Sequence, residues 1–133
     1  MANAIYPLAK ASFLKGELDM VDDTIKVVLV DTGTYTYNAA HDFYNDLSGI
    51  LGSGVELGSR TVTLGVFDAA DVTFTTPSAG TTIEALVIYK DTGNVATSNL
   101  IAYIDTGTGL AFTTNGADID IVWDSGANKI FSI

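Results

Sequence analysis

One histidine, His41, no cysteine, one arginine and five lysines leave this chain of 133 residues short of the side chains that usually carry chemistry. His41 stands beside Asp42, a pairing that could make a general base oriented by a carboxylate. No thiol exists for it to activate, and no serine sits in a strand–turn–helix nucleophile context. Adjacent residues also point apart on a strand or a helix, so His41 reads as an ordinary histidine of a loop or a helix start. Asp-Thr-Gly occurs three times, at residues 31–33, 91–93 and 105–107. In aspartic proteases that triplet supplies carboxylates that share a proton and activate water. Here Thr34, Asn94 and Thr108 follow in place of the small Ala or Ser such enzymes favour. Each copy also leaves a strongly apolar run, where Asp and Gly are the ordinary exit from a strand. Turn chemistry alone predicts the repetition, so no catalytic residue is assigned.

Thirteen aspartates against three glutamates raise the question of a bound cation. Local groups occur at Asp19, Asp22 and Asp23, at Asp68 and Asp71, and at Asp118, Asp120 and Asp124. A calcium loop needs several such oxygens converging, with a spaced Glu, and no stretch has that pattern. Asp118 and Asp120 lie two apart, on the solvent face of an expected strand. A solvated acidic face is therefore expected, with no metal ligand and no cofactor. Gly52-Ser53-Gly54 lacks the following Lys-Ser/Thr of a phosphate loop.

The net charge of −10, with Lys10, Lys15, Lys26, Arg60, Lys90 and Lys129 scattered, opposes contact with nucleic acid or an anionic membrane. Basic protein surfaces are its electrostatic complement. The first residues lack a basic stretch and an unbroken apolar run, so no secretory leader is expected. No apolar run approaches the ~20 residues of a membrane helix.

The elements that must position these residues are mostly strands. Residues 4–18 are the helical candidate, with Ile5, Leu8, Ala9 and Phe13 near one face, Pro7 in the first turn and Gly16 as a stop. The helix itself is expected over about residues 4–16. Residues 24–30, 61–64, 72–76, 83–89 and 100–104 read as strands, the fourth apolar on both faces and therefore central. Ile119, Ile121 and Trp123 should face inward, and residues 129–133 should close a terminal hairpin after the turn at 124–128. Residues 41–47 read as one or two helical turns, 49–58 as a mobile surface loop, and 65–71 as a bend. With 47% apolar and 17% charged residues, the chain is expected to form one domain, residues 1–133. The expected class is all-β: an antiparallel β-sandwich, jelly-roll-like or Greek key, with one short N-terminal helix. The segment 1–20 would pack on that domain or on a neighbouring subunit. Tyr35, Tyr37, Phe43 and Tyr44 cluster in a surface excursion and suit a subunit contact, as do Ile5, Tyr6, Leu8 and Phe13 of the N-terminal segment.

The order of segments also resembles a family. The opening Met-Ala-Asn-Ala-Ile-Tyr leads to Phe13-Leu14-Lys15-Gly16, and residues 25–32 follow. Gly65-Val66-Phe67-Asp68-Ala69-Ala70-Asp71, Glu84-Ala85-Leu86-Val87-Ile88-Tyr89-Lys90 and Leu100-Ile101-Ala102-Tyr103-Ile104 come next, before Val122-Trp123-Asp124 and Ile130-Phe131. This resembles small proteins encoded in the structural modules of tailed bacteriophages, and the resemblance covers nearly the whole chain. It implies a non-enzymatic capsid decoration, or cement, protein on the virion surface, made in the host cytoplasm. The major capsid protein and further copies of itself, as a homotrimer, would be its partners. A tail or baseplate adaptor and a carbohydrate-binding fibre module are the rival readings.

Overall fold

The computed structural model describes residues 3–105, 110–123, 126–127 and 129–133. The chain is all-β and antiparallel, sandwich-like, with one short helix. Its main sheet has five strands in the order β1 (Ala4–Ile5), β9 (Leu100–Ile104), β8 (Ala85–Lys90), β2 (Ile25–Val30) and β3 (Ile50–Glu56). The strand apolar on both faces, β8, is central as expected. Residues 85–89 and the whole of β9 are buried, and in β2 only Lys26 reaches solvent. Such runs are stable as strands only when both faces are covered.

The cover comes from three small antiparallel ribbons and the helix. β4 (Thr61–Thr63), β5 (Val66–Asp68) and β12 (Phe131–Ser132) form one ribbon, with β5 in the middle. β6 (Val72–Phe74) pairs with β11 (Ile119–Ile121), and β7 (Thr82–Ile83) with β10 (Phe112–Thr113). Phe67, Val72, Phe74, Ile83, Ile121 and Ile130 bring the inner faces of these ribbons into one core with the main sheet.

Four expectations are corrected. The helix α1 spans Pro7–Leu14 rather than about 4–16, because residues 4–5 join the sheet first. Ala4 pairs with Tyr103 and Ile5 with Ala102, and the Tyr6 N–H donates to the Ile101 carbonyl at 3.0 Å. The ring of Pro7 holds Tyr6 extended and fits the first helical position. Gly16, at φ 74°, ends the helix as expected. The helix docks on β9 of its own chain through buried Ala9 and Ser12.

The segment 49–58, expected as a loop, contains edge strand β3. Two glycines hid it: between the pairs Val27–Val55 and Leu29–Leu51 the register slips, and Gly52 takes φ 72° in the bulge. Gly54 also lies under Tyr89, where a Cβ would collide with the hydroxyl and approach Cζ to 3.0 Å. The bend at 65–71 holds β5. Finally, β12 pairs with β5 rather than closing a terminal hairpin. The turn expected at 124–128 includes Asp124, Ser125 and Asn128, which lie outside the described residues.

Candidate interaction surface

Three of the tyrosines expected as contacts, Tyr6, Tyr35 and Tyr37, form an internal cluster with Tyr103. Tyr6 enters from the start of α1, Tyr35 and Tyr37 from the excursion after β2, and Tyr103 from β9. The Tyr6 and Tyr35 hydroxyls are 2.9 Å apart, and the Tyr35 hydroxyl lies 2.8 Å from His41 Nδ1. The Tyr37 ring packs 5.1 Å from Tyr6 and 5.3 Å from Tyr103. Burial raises the Tyr6 hydroxyl far above the ordinary tyrosine range, and its bond to Tyr35 raises it further. Burial raises Tyr35 too, whereas its bond to Tyr6 lowers it. The three groups form one hydrogen-bonded chain, Tyr6 to Tyr35 to His41. Tyr6 and Tyr35 are buried within their own chain, so neither presents the contact surface expected of it. They hold the excursion 31–49 onto the N-terminal segment.

His41 is not paired with the adjacent Asp42 as a base. Its neighbours belong instead to a tight turn, a single 3-10 turn at Tyr44–Asp46. Asp46 Oδ2 accepts from the backbone N–H of Asp42 at 2.9 Å and of Phe43 at 3.3 Å. The Asp42 N–H is the largest influence holding the Asp46 carboxyl below its ordinary range. Asp42 is pushed the other way, first by desolvation and then by the hydrogen bond and charge of Asp46.

The Asp-Thr-Gly triplets behave as turn chemistry where they are described. Asp31 Oδ1 accepts from the Gly33 N–H at 2.8 Å, and Asp91 Oδ1 from the Gly93 N–H at 2.9 Å. Asp91 also pairs with Lys26 at 2.6 Å, and these contacts lower its carboxyl, the Lys26 bond most. Thr106 and Gly107 of the third copy lie outside the described residues. Among the described residues, no group of three or more acidic, histidine or cysteine side chains could hold a metal ion.

The other expected contact residues divide. Ile5 is half-buried in β1, and Tyr44 is half-buried against the buried Tyr89, ring centroids 4.7 Å apart. Phe13 and Tyr37 are half-buried on the core. Leu8 is 44% exposed and Phe43 half-buried, and both line one groove of about 420 Å³ between α1 and the chain around residues 90–99. Lys15 and Lys90 stand on its walls. Lys90 is pinned there, 3.2 Å from Asp23 Oδ2 and 3.2 Å from the Glu17 carbonyl. The structure thus brings the helix and the 35–44 excursion together at one place, through Leu8 and Phe43. Sequence reading missed Tyr89 and Tyr103, whose strands looked uniformly apolar, and the lysines lining the groove. It also missed an apolar tip at Val62, Leu64 and Ile133, which are 52, 99 and 67% exposed. The run Val62-Thr63-Leu64-Gly65-Val66 was the available signal there.

No helix among the described residues is long and apolar enough to cross a membrane. No family model matches this chain, and no curated protein matches it either.

Proposed function

We propose that this chain is a non-enzymatic structural protein of a tailed-phage virion, a decoration protein that clamps neighbouring copies of the major capsid protein on the outside of the head. The convergence of Leu8 and Phe43 on one groove is the observation that supports a docking role. An exposed leucine beside an aromatic ring suits an apolar side chain of a partner, while Lys15 and Lys90 on the rim are balanced by Glu17 and Asp42. The groups that could have signalled chemistry have internal uses: His41 bonds Tyr35, Asp46 holds a turn, and Asp31 and Asp91 close turns. The body beneath the groove is rigid, with a sheet buried on both faces, as a clamp requires. On the shell, a homotrimer formed at the three-fold positions of the capsid lattice is the simplest assembly, held by the capsid rather than preformed in solution. Binding to the assembled shell would favour that shell over its dissociated subunits by mass action.

The test is to delete the gene, purify the heads and heat them. Heads that assemble but burst at lower temperature, and recover when wild-type protein is added, support the clamp. The Leu8→Asp variant should fail to restore them while keeping its own unfolding temperature, because Leu8 is exposed. Heads of unchanged stability with missing tails or lost adsorption would move the protein to a tail or baseplate. Copy number in the virion checks this independently: a decoration protein approaches the number of capsid subunits.

A further inference from the structure

The hairpin joining β4 to β5 carries two costs at one residue. Leu64 takes φ 50° and is 99% exposed. With Gly65 at φ 80°, it makes the two-residue turn whose left-handed geometry favours Asn-Gly. Leucine has no local polar bond to offset that conformation, and its side chain is left in water. β4 beside it is an outer strand: among the described residues it pairs only with β5, and all three of its residues are exposed.

The register fixes what this edge presents. A two-residue turn makes Thr63 and Val66 a hydrogen-bonded pair, so Thr61 and Thr63 direct their backbone groups to β5. Val62 therefore directs its N–H and C=O outward. Its side chain lies on the same face as those of Phe67, its partner on β5, and Phe131, the partner of Phe67 on β12. Lysine, proline and inward charge, which usually blunt an open edge, are absent from residues 61–67. In a chain of net charge −10, residues 59–67 contain no acidic group, and Arg60 is their one charged residue.

Thr61-Val62-Thr63 reads the same in both directions, which selects the occupant. Rotated about a two-fold axis through Val62, a second copy places Val62 opposite Val62 and each Thr61 opposite a Thr63. The outward N–H and C=O of the two valines then exchange two hydrogen bonds. The apolar row Phe131, Phe67, Val62 continues into the same row of the second copy, and no acidic groups meet. A second copy also meets this edge without like-charge contact, since residues 59–67 lack the acidic groups that cover the rest of the chain. We propose that the β4 edge is an isologous docking site for a second copy of this chain, paired antiparallel about Val62 with Leu64 packed against its partner. This contact shares no residue with the groove beside α1, and it does not rest on the virion reading.

Sedimentation of the full chain across a range of concentrations tests it. The wild type should show a reversible monomer–dimer equilibrium. Val62→Lys puts two ammonium groups opposite each other on the axis and should weaken dimerisation by roughly tenfold or more. Leu64→Asn should also weaken it while leaving the unfolding temperature of the monomer unchanged or raised, since asparagine suits a positive φ. If Val62→Lys loses its far-UV spectrum, Leu64→Asn carries the test alone. A wild type that stays monomeric at all concentrations overturns the proposal, as does a dimer indifferent to both substitutions. A trimer or an open-ended aggregate dissociated by Val62→Lys overturns it too, since either needs a contact that is not two-fold.

Discussion

The chain Tyr6, Tyr35, His41 makes an unequal prediction for two chemically identical substitutions. Tyr35 is the middle of the chain, hydrogen-bonded to the Tyr6 hydroxyl at 2.9 Å and to His41 Nδ1 at 2.8 Å. Tyr35→Phe strands the Tyr6 hydroxyl at a residue with 0% exposure, where water cannot replace the lost partner. An orphaned buried hydroxyl costs about 1–3 kcal/mol, and the lost bond to His41 adds about 1 kcal/mol. The total is about 3 kcal/mol, or a fall in Tm of roughly 10 °C for a domain of this size. Tyr6→Phe removes one hydroxyl and leaves Tyr35 bonded to His41, for about 1 kcal/mol. In the double variant no stranded hydroxyl remains, so it should be more stable than Tyr35→Phe alone. Urea unfolding of the wild type and the three variants, with coincident fluorescence and circular-dichroism transitions, measures the cycle. A double variant less stable than Tyr35→Phe by the full Tyr6→Phe increment would refute the burial argument.

The Gly54→Ala variant should lose about 1–3 kcal/mol, because its methyl group meets the hydroxyl and ring of Tyr89, which also packs on Tyr44. Adding Tyr89→Phe should restore part of that loss in the same unfolding assay. Asp91→Asn should lower stability at neutral pH by roughly 1 kcal/mol, through loss of the charged bond to Lys26. Because the folded state lowers the Asp91 carboxyl, this contribution is full above the ordinary aspartate value. It fades as pH falls below roughly 4 and through the lowered folded value, so wild-type and variant curves should converge in acid. Asp31→Asn should change stability by less than about 0.5 kcal/mol, since an amide oxygen can also accept from the Gly33 N–H. Peptide cleavage by the wild type that this substitution abolishes would contradict the turn role.

Local patterning determined much of the architecture. A β-branched run specified the strand at residues 25–30, alternation with hydroxyls those at 61–63 and 72–74, and apolar character those at 85–89 and 100–104, placing 85–89 at the centre of a sheet. Pro7 and Gly16 bracketed the one helix. The turn role of Asp31 and Asp91 was also legible, because an Asx turn is made within three residues. What tertiary structure alone decided depends on partners distant along the chain. Residues 4–5 became a strand because β9 offered an open edge a hundred residues away, against their own helical spacing. β3 formed despite its glycines because β2 needed a neighbour, and Gly54 made room for Tyr89. The aromatic cluster was visible as composition, but not its direction. Whether a tyrosine faces a partner or its own core depends on which strand lies over it, and spacing along 35–44 carries no record of Tyr6 or Tyr103. The meeting of Leu8 with Phe43 has the same cause: two segments marked separately by their apolar residues share a groove only because the sheet sets them side by side.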